Sequence, residues 1–140
     1  MTLRWLRRPV CVNLLLAILF SPFVLSSCST EKAKWGNIQY HNTTCHYNVW
    51  WNGNESLKEA RKQLELKTVD DYTRILPIYK LGTKEDAISV YPQLDRTLEK
   101  GAMGVQKHSI FINGREHVEY VKKSYLMMAY AHFYKQDYQA

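Results

Sequence analysis

Three side chains in one short stretch are of types that hold metal ions. His41, Cys45 and His46 place a His and a Cys at i, i+4 with a second His adjacent. Zinc sites favour better-separated chelating pairs, and on a helix His46 would point about 100° away from Cys45. The expectation is therefore polar contact or simple exposure, with no metal and no cofactor. Asp70-Asp71 sets two carboxylates side by side. Adjacent residues do not face each other, so a helix or turn cap is expected rather than a catalytic pair. The sequence carries no G-x-S-x-G, phosphate-binding loop or H-E-x-x-H, and an enzyme reading has no residues to stand on.

Chemistry of another kind is expected at Cys28. Met1 to Pro9 is a short basic region, and Val10 to Leu25 is a stretch without charge that ends in Ser26, Ser27 and Cys28. This is the layout of an export signal, and the stretch is too short and too interrupted, by Asn13, Ser21 and Pro22, for a good permanent span of about 20 apolar residues. Leu25-Ser26-Ser27-Cys28 resembles the bacterial lipobox, in which the Cys thiol accepts a diacylglyceryl group. Arg7-Arg8 reads as plain positive charge of the signal. Cleavage before Cys28 leaves 113 residues with 16 basic and 13 acidic side chains, so a formal charge of +6 becomes +3. That balance gives no case for nucleic acid. Each buried CH₂ of a lipid contributes about 0.8 kcal/mol, so the several acyl chains of a bacterial lipoprotein make a stable anchor. Removal of Cys11 and acylation of Cys28 leave Cys45 as a lone thiol, for which a buried, hydrophobic role is favoured over pairing with a partner. The sequons at Asn42-Thr-Thr and Asn54-Glu-Ser carry almost no weight in such a protein.

The rest of the chain reads as helices. Ser29 to Gly36 is a polar tether with one aromatic, Trp35, and its reach of about 35 Å keeps the folded part close to the membrane. Tyr40, Thr44, Tyr47 and Trp51 recur at helical spacing over Asn37 to Trp51, while Cys45, Tyr47, Val49 and Trp51 also alternate as in a strand leading to an Asn52-Gly53 hairpin turn. The helix is favoured, with Gly53 as its C-terminal stop. Tyr40, Tyr47, Trp50 and Trp51 form an aromatic group with two readings, a core stripe, which is favoured, or a docking patch for a partner. Residues 55 to 67 form a surface helix on Leu57, Ala60 and Leu64. Asp70 to Tyr79, broken by Pro77, is an ordered connector. Thr83 caps a short helix, and Pro92 ends it or opens the next. That next helix, Gln93 to Lys107, has Leu94, Leu98, Ala102 and Val105 as its stripe. His108 to Gly114 is an apolar run into a turn, and Arg115 to Tyr134 is a helix with Val118, Val121, Tyr125, Met128, Ala129 and His132 on one side. The expected fold is mostly α, with antiparallel helix pairs joined by short connectors.

The stretch from Tyr125 to Tyr138 resembles the first helix and turn of a tetratricopeptide repeat. Tyr125 takes the large aromatic position, Met128 and Ala129 the Leu-like and small ones, and Tyr138 the later aromatic; His132 and Gln136 depart from the pattern. A single repeat helix cannot bury its apolar face, so the chain is expected to be the front of a longer repeat protein. Short stretches in order also match one family. They are Cys28 to Trp35, Tyr40 to Asn48, Trp51 to Lys58, Asp71 to Ile78, Tyr91 to Arg96, Glu99-Lys100, Lys107 to Ile110 and the repeat helix. Together they look like the start of the tetratricopeptide-repeat outer-membrane lipoproteins of Bacteroidetes gliding motility and type IX secretion, the SprE/PorW type. The resemblance implies 1–27 as lipoprotein signal, 28–36 as lipid tether, 37–114 as a helical domain and 115–140 as an incomplete repeat leading into an α-α superhelix. It implies a non-catalytic scaffold on the periplasmic face of the outer membrane, with other envelope secretion and motility proteins as partners and no small-molecule substrate. A lipoprotein binding a small ligand such as a glycan through Trp50, Trp51 and nearby tyrosines is the alternative.

Overall fold

The computed structural model describes residues 32–138. The signal segment 1–27, the lipobox Leu25, Ser26, Ser27 and Cys28, and tether residues 29–31 lie outside the described residues.

Helix α1 (Trp35–Thr44) runs through a π-helical turn (Cys45–Trp50) straight into α2 (Trp51–Lys67). This settles helix against hairpin. It also corrects the tether boundary, since Trp35 and Gly36 belong to α1, and the expected stop at Gly53. Gly53 lies inside α2, buried, where a Cβ would stand 2.7 Å from the Met127 methyl. The buried side of this rod is His41, Cys45, Val49 and Gly53, at every fourth position. Four residues of a plain α-helix advance about 400°, so such positions drift about 40° per step. The extra residue of a π turn takes up that drift and keeps all four facing inward.

Residues 68–83 form the connector. Helix α3 (Lys84–Ser89) starts at Thr83, whose Oγ1 accepts the Asp86 backbone N–H at 3.2 Å while Asp86 Oδ2 accepts the Thr83 N–H at 3.0 Å. This reciprocal cap bears out the expected start. Pro92 stands in the first turn of α4 (Tyr91–His108), so it opens this helix. Strands β1 (Phe111–Ile112) and β2 (Arg115–Glu116) then pair antiparallel, Phe111 opposite Glu116 and Ile112 opposite Arg115, across Asn113 (φ 54) and Gly114 (φ 73). Two positive φ values are what a tight two-residue hairpin requires, and Asn-Gly supplies them. The hairpin takes Arg115 and Glu116 away from the last helix, so α5 is Glu119–Lys135.

Contacts fix the helix directions. Along the rod, His41 meets His108, Gly53 accepts from Thr97, Ser56 donates to Gln93 and Lys67 to Ser89, so α1–α2 runs antiparallel to α4. Gly104 faces Ser124, Gly101 faces Met128 and Asp95 pairs with Lys135, so α4 and α5 are antiparallel too. The described residues are thus mostly α, in antiparallel pairs. Leu57, Ala60, Leu64, Val90, Leu94, Met127, Ala131 and Tyr134 form one core cluster, and Cys45, Ile110, Val118 and Val121 a second. Full burial of a Leu such as Leu64 or Leu94 stabilises the fold by roughly 1.5–3 kcal/mol.

Two expected stripes are corrected. The buried side of α4 is Leu94, Thr97, Gly101 and Gly104, with Leu98 and Val105 only flanking the clusters. Small residues there let α4 approach α5 closely. In α5 the buried residues are Val121, Ser124, Met127, Ala131 and Tyr134. Of the residues assigned to repeat packing, Tyr125, Ala129 and Tyr138 are exposed, and Met128 is half-buried against Gly101. Apolar residues run right round α5, so spacing alone picks out no single side of it.

Candidate functional site

Packing of α4 and α5 on the rod decides which of its aromatic rings reach solvent. Tyr40 (52% exposed), Tyr47 (64%) and Trp51 (49%) lie outside, opposite the buried side. The favoured reading of these three as core is therefore wrong. Trp50 alone turns inward. It packs on the first core cluster and meets the Tyr120 ring edge-on at 5.3 Å. His46 stacks on the same Tyr120 ring at 4.0 Å, with Tyr47 beside it at 4.2 Å, and the Lys123 ammonium sits 4.5 Å over the other partner of this stack, Tyr120. An aromatic surface thus runs along the rod, backed by α5 through Tyr120. Spacing does not reveal Tyr120, because its aromatic partners His46 and Trp50 come from a segment 70 or more residues away. The Asn42 side chain, which accepts the Tyr120 backbone N–H at 3.2 Å, helps to hold the start of α5 on the rod.

His41, Cys45 and His46 face three different neighbours. His41, 5% exposed, has its Nδ1 3.2 Å from His108 Nδ1. Thr44 Oγ1, which donates to the Tyr40 carbonyl at 2.7 Å, lies 3.4 Å from the same His108 nitrogen. His41 Nε2 is buried with no hydrogen-bond partner. Burial pushes the pKa of both imidazoles down, and for His108 the nearby His41 and Lys107 charges add to it. A neutral pair sharing one Nδ1–H is the form this geometry stabilises. Cys45 is fully buried, against Gly104 and Ser124, and burial pushes its thiol up. The buried reading of Cys45 holds. No group of three or more His, Cys, Asp or Glu among the described residues is placed to hold a metal ion.

The two adjacent aspartates diverge. Asp71 Oδ1 accepts the Thr73 N–H at 3.0 Å and its hydroxyl at 2.6 Å, which closes a turn and holds the carboxyl below its usual range. Asp70 instead pairs with Lys80 at 2.7 Å across the connector. The turn-cap expectation is met at Asp71, whereas Asp70 makes an ion pair instead.

A second apolar surface lies on α5. Tyr79, Leu126, Ala129, Tyr130 and Phe133 line a shallow groove of about 280 Å³. Tyr79 reaches it from the connector, its ring edge-on to Phe133 at 5.6 Å. Leu126, Tyr130 and Phe133 stand at i, i+4 and i+7, a signal present in the sequence but hidden by the all-round apolar character of the helix. A polar groove of about 400 Å³, lined by residues including Glu55, Lys58, Glu59, Lys62 and Arg96, borders Trp51, whose ring lies 5.7 Å from the Lys58 ammonium. No helix among the described residues is long and apolar enough to cross a membrane. Comparison with known proteins finds no family model that matches the chain and no match among curated proteins.

Proposed function

We propose that the chain is an exported lipoprotein, anchored through Cys28 on the periplasmic face of the outer membrane, that acts as a helical scaffold accessory to type IX secretion and gliding motility. The observation that carries this reading is the outward aromatic row of Tyr40, Tyr47 and Trp51. Large rings held out of the core on a rigid helix have the chemistry of interface anchors. The lipobox and the ordered family-like stretches support the location and the system. The finer architecture of this proposal is tetratricopeptide-like: the open side of α5, with Tyr125 and Ala129 exposed, takes a further helix as stacked repeats do. Work is done by protein contacts, and catalysis has no part in it.

Replacing Cys28 with Ala tests the anchoring. The variant should lose lipid labelling, leave the membrane fraction and fail to support cargo release in a gliding host. Retained acylation, or normal release by the soluble variant, contradicts the proposal.

A second reading has an observation of its own. The polar groove is lined by charged, hydroxyl and amide groups that can bind sugar hydroxyls, and the Trp51 ring lies 5.7 Å from the ammonium of one of them, Lys58. Saturable binding of cell-wall or surface glycans that is lost in Trp51→Ala would favour it.

A further inference from the structure

The connector carries apolar side chains that the fold does not bury. Val69, Tyr72, Ile75 and Ile78 stand in solvent, Ile75 at 99% and Ile78 at 94% exposure. The segment is nonetheless fixed in place. Tyr79 leans edge-on against Phe133 of α5, and the Gln136 amide donates to the Leu81 and Thr83 carbonyls, both at 3.4 Å. In sequence, Ile75-Leu76-Pro77-Ile78 has one Tyr and one cation on each side, Tyr72 and Arg74 before it, Tyr79 and Lys80 after it. Residues 75–79 carry no charge, and the two nearby carboxylates are neutralised, Asp71 by Arg74 at 3.4 Å and Asp70 by Lys80 at 2.7 Å. Apolar tips between Tyr and cation flanks are the composition of a segment lying in a membrane interface, with rings at headgroup level and cations reaching phosphates. A folded partner needs a packed patch of matching shape, whereas side chains standing almost clear of their own fold suit a fluid phase.

We infer that the 72–80 segment is a second membrane contact, in which Ile75 and Ile78 enter the headgroup–acyl boundary of the leaflet that holds the lipid anchor. The inference rests on the anchored-lipoprotein reading and adds how the fold lies on its membrane. From Trp35 to Lys67 the rod spans about 50 Å at about 1.5 Å per residue, and the connector follows Lys67, at the end away from the tether. Cys28 stands seven residues before Trp35, so the rod starts within about 25 Å of the leaflet. An anchor at one end alone leaves the rod free to swing. A contact at the far end lays it along the leaflet, with tether and connector on the same surface. Four apolar residues are too few to span a bilayer, and an interfacial segment sinks only about 5–10 Å. The exposed Arg74 holds Asp71 only weakly and can turn to a lipid phosphate, and the charge of +3 left after signal cleavage adds mild attraction to an anionic leaflet.

A bimane probe on Ile78→Cys tests this in the full-length protein, mixed with vesicles of phosphatidylethanolamine and phosphatidylglycerol whose acyl chains carry bromine near the headgroup. Acylation of Cys28 and burial of Cys45 leave the engineered thiol as the site of labelling. The expected result is blue-shifted emission that brominated lipid quenches. Ile75→Glu should cut that quenching at least fivefold with an unchanged melting temperature, since Ile75 touches no core. Water-like emission on the vesicles, or quenching indifferent to Ile75→Glu, overturns the contact. So does a probe already shielded before vesicles are added, which would mean that another part of the chain or a second copy covers the segment, or a shift that needs added envelope protein. Mass spectrometry of Cys28 reads the anchor separately. An acylated protein that floats with vesicles while its probe reads water overturns the loop contact and leaves the anchor standing. Missing acyl chains overturn the anchor, and quenching of the probe still decides the loop contact.

Discussion

His41 and His108, 67 residues apart in the chain, meet Nδ1 to Nδ1 at 3.2 Å and tie the start of the rod to the end of α4. Both are held below the ordinary imidazole pKa of 6.5 by burial. The unfolded chain therefore binds more protons than the folded one as pH falls below about 6.5, so folding loses stability there and keeps it in full above. The melting temperature should be flat above pH 7 and should fall between pH 6.5 and 5. His108→Gln, with one titrating partner removed, should show a shallower fall. Equal slopes for the two proteins would contradict the assignment.

Gly104 sets the spacing of α4 and α5. A Cβ there would stand 3.0 Å from Ser124 Oγ and 3.4 Å from Cys45 Sγ, and both neighbours are fully buried. Gly104→Val should cost about 1–3 kcal/mol by overpacking, read as a lower denaturant midpoint with an unchanged slope.

Glu116 closes the hairpin on the start of α5. Its Oε1 accepts the Ile110 N–H at 3.1 Å and the Val118 N–H at 2.8 Å, and its Oε2 accepts the Ser109 hydroxyl. Glu116→Ala leaves two backbone donors near the core without partners, and should cost about 3 kcal/mol by chemical denaturation.

Cys45 should resist alkylation. It is fully buried, and burial holds its thiol in the protonated, unreactive form. Peptide mapping after maleimide treatment should find Cys45 unmodified in native protein and modified in denaturant.

What was legible in the sequence was local. The Thr83 cap and the Asp71 turn each depend on neighbours within a few residues and stand where the sequence places them, and Pro92, which by sequence ends one helix or opens the next, opens α4. The two Asn-Gly pairs show the limit. Asn52-Gly53 has the composition of a hairpin turn yet lies inside a helix, packed under Met127, while Asn113-Gly114, at the end of an apolar run, makes the hairpin. Which pair turns is decided by what packs on it, and that is tertiary. The rod shows the same limit, since helical spacing allows two nearly opposite stripes, Tyr40, Tyr47 and Trp51 on one side and His41, Cys45 and Val49 on the other, and α4 and α5 pack on the second. The π turn keeps that second side aligned through Gly53, and no residue type in Cys45–Trp50 announces it.

The outward row of Tyr40, Tyr47 and Trp51 is the central claim, and the Tyr47→Ala/Trp51→Ala double variant tests it most directly. Cargo release and gliding of cells carrying it are measured beside the melting temperature of the purified protein. The account predicts at least a tenfold loss of cargo release with the melting temperature within about 2 °C of the parent, since these rings leave the core intact. Normal release from the variant, or a fall of about 5 °C or more in melting temperature, would contradict it.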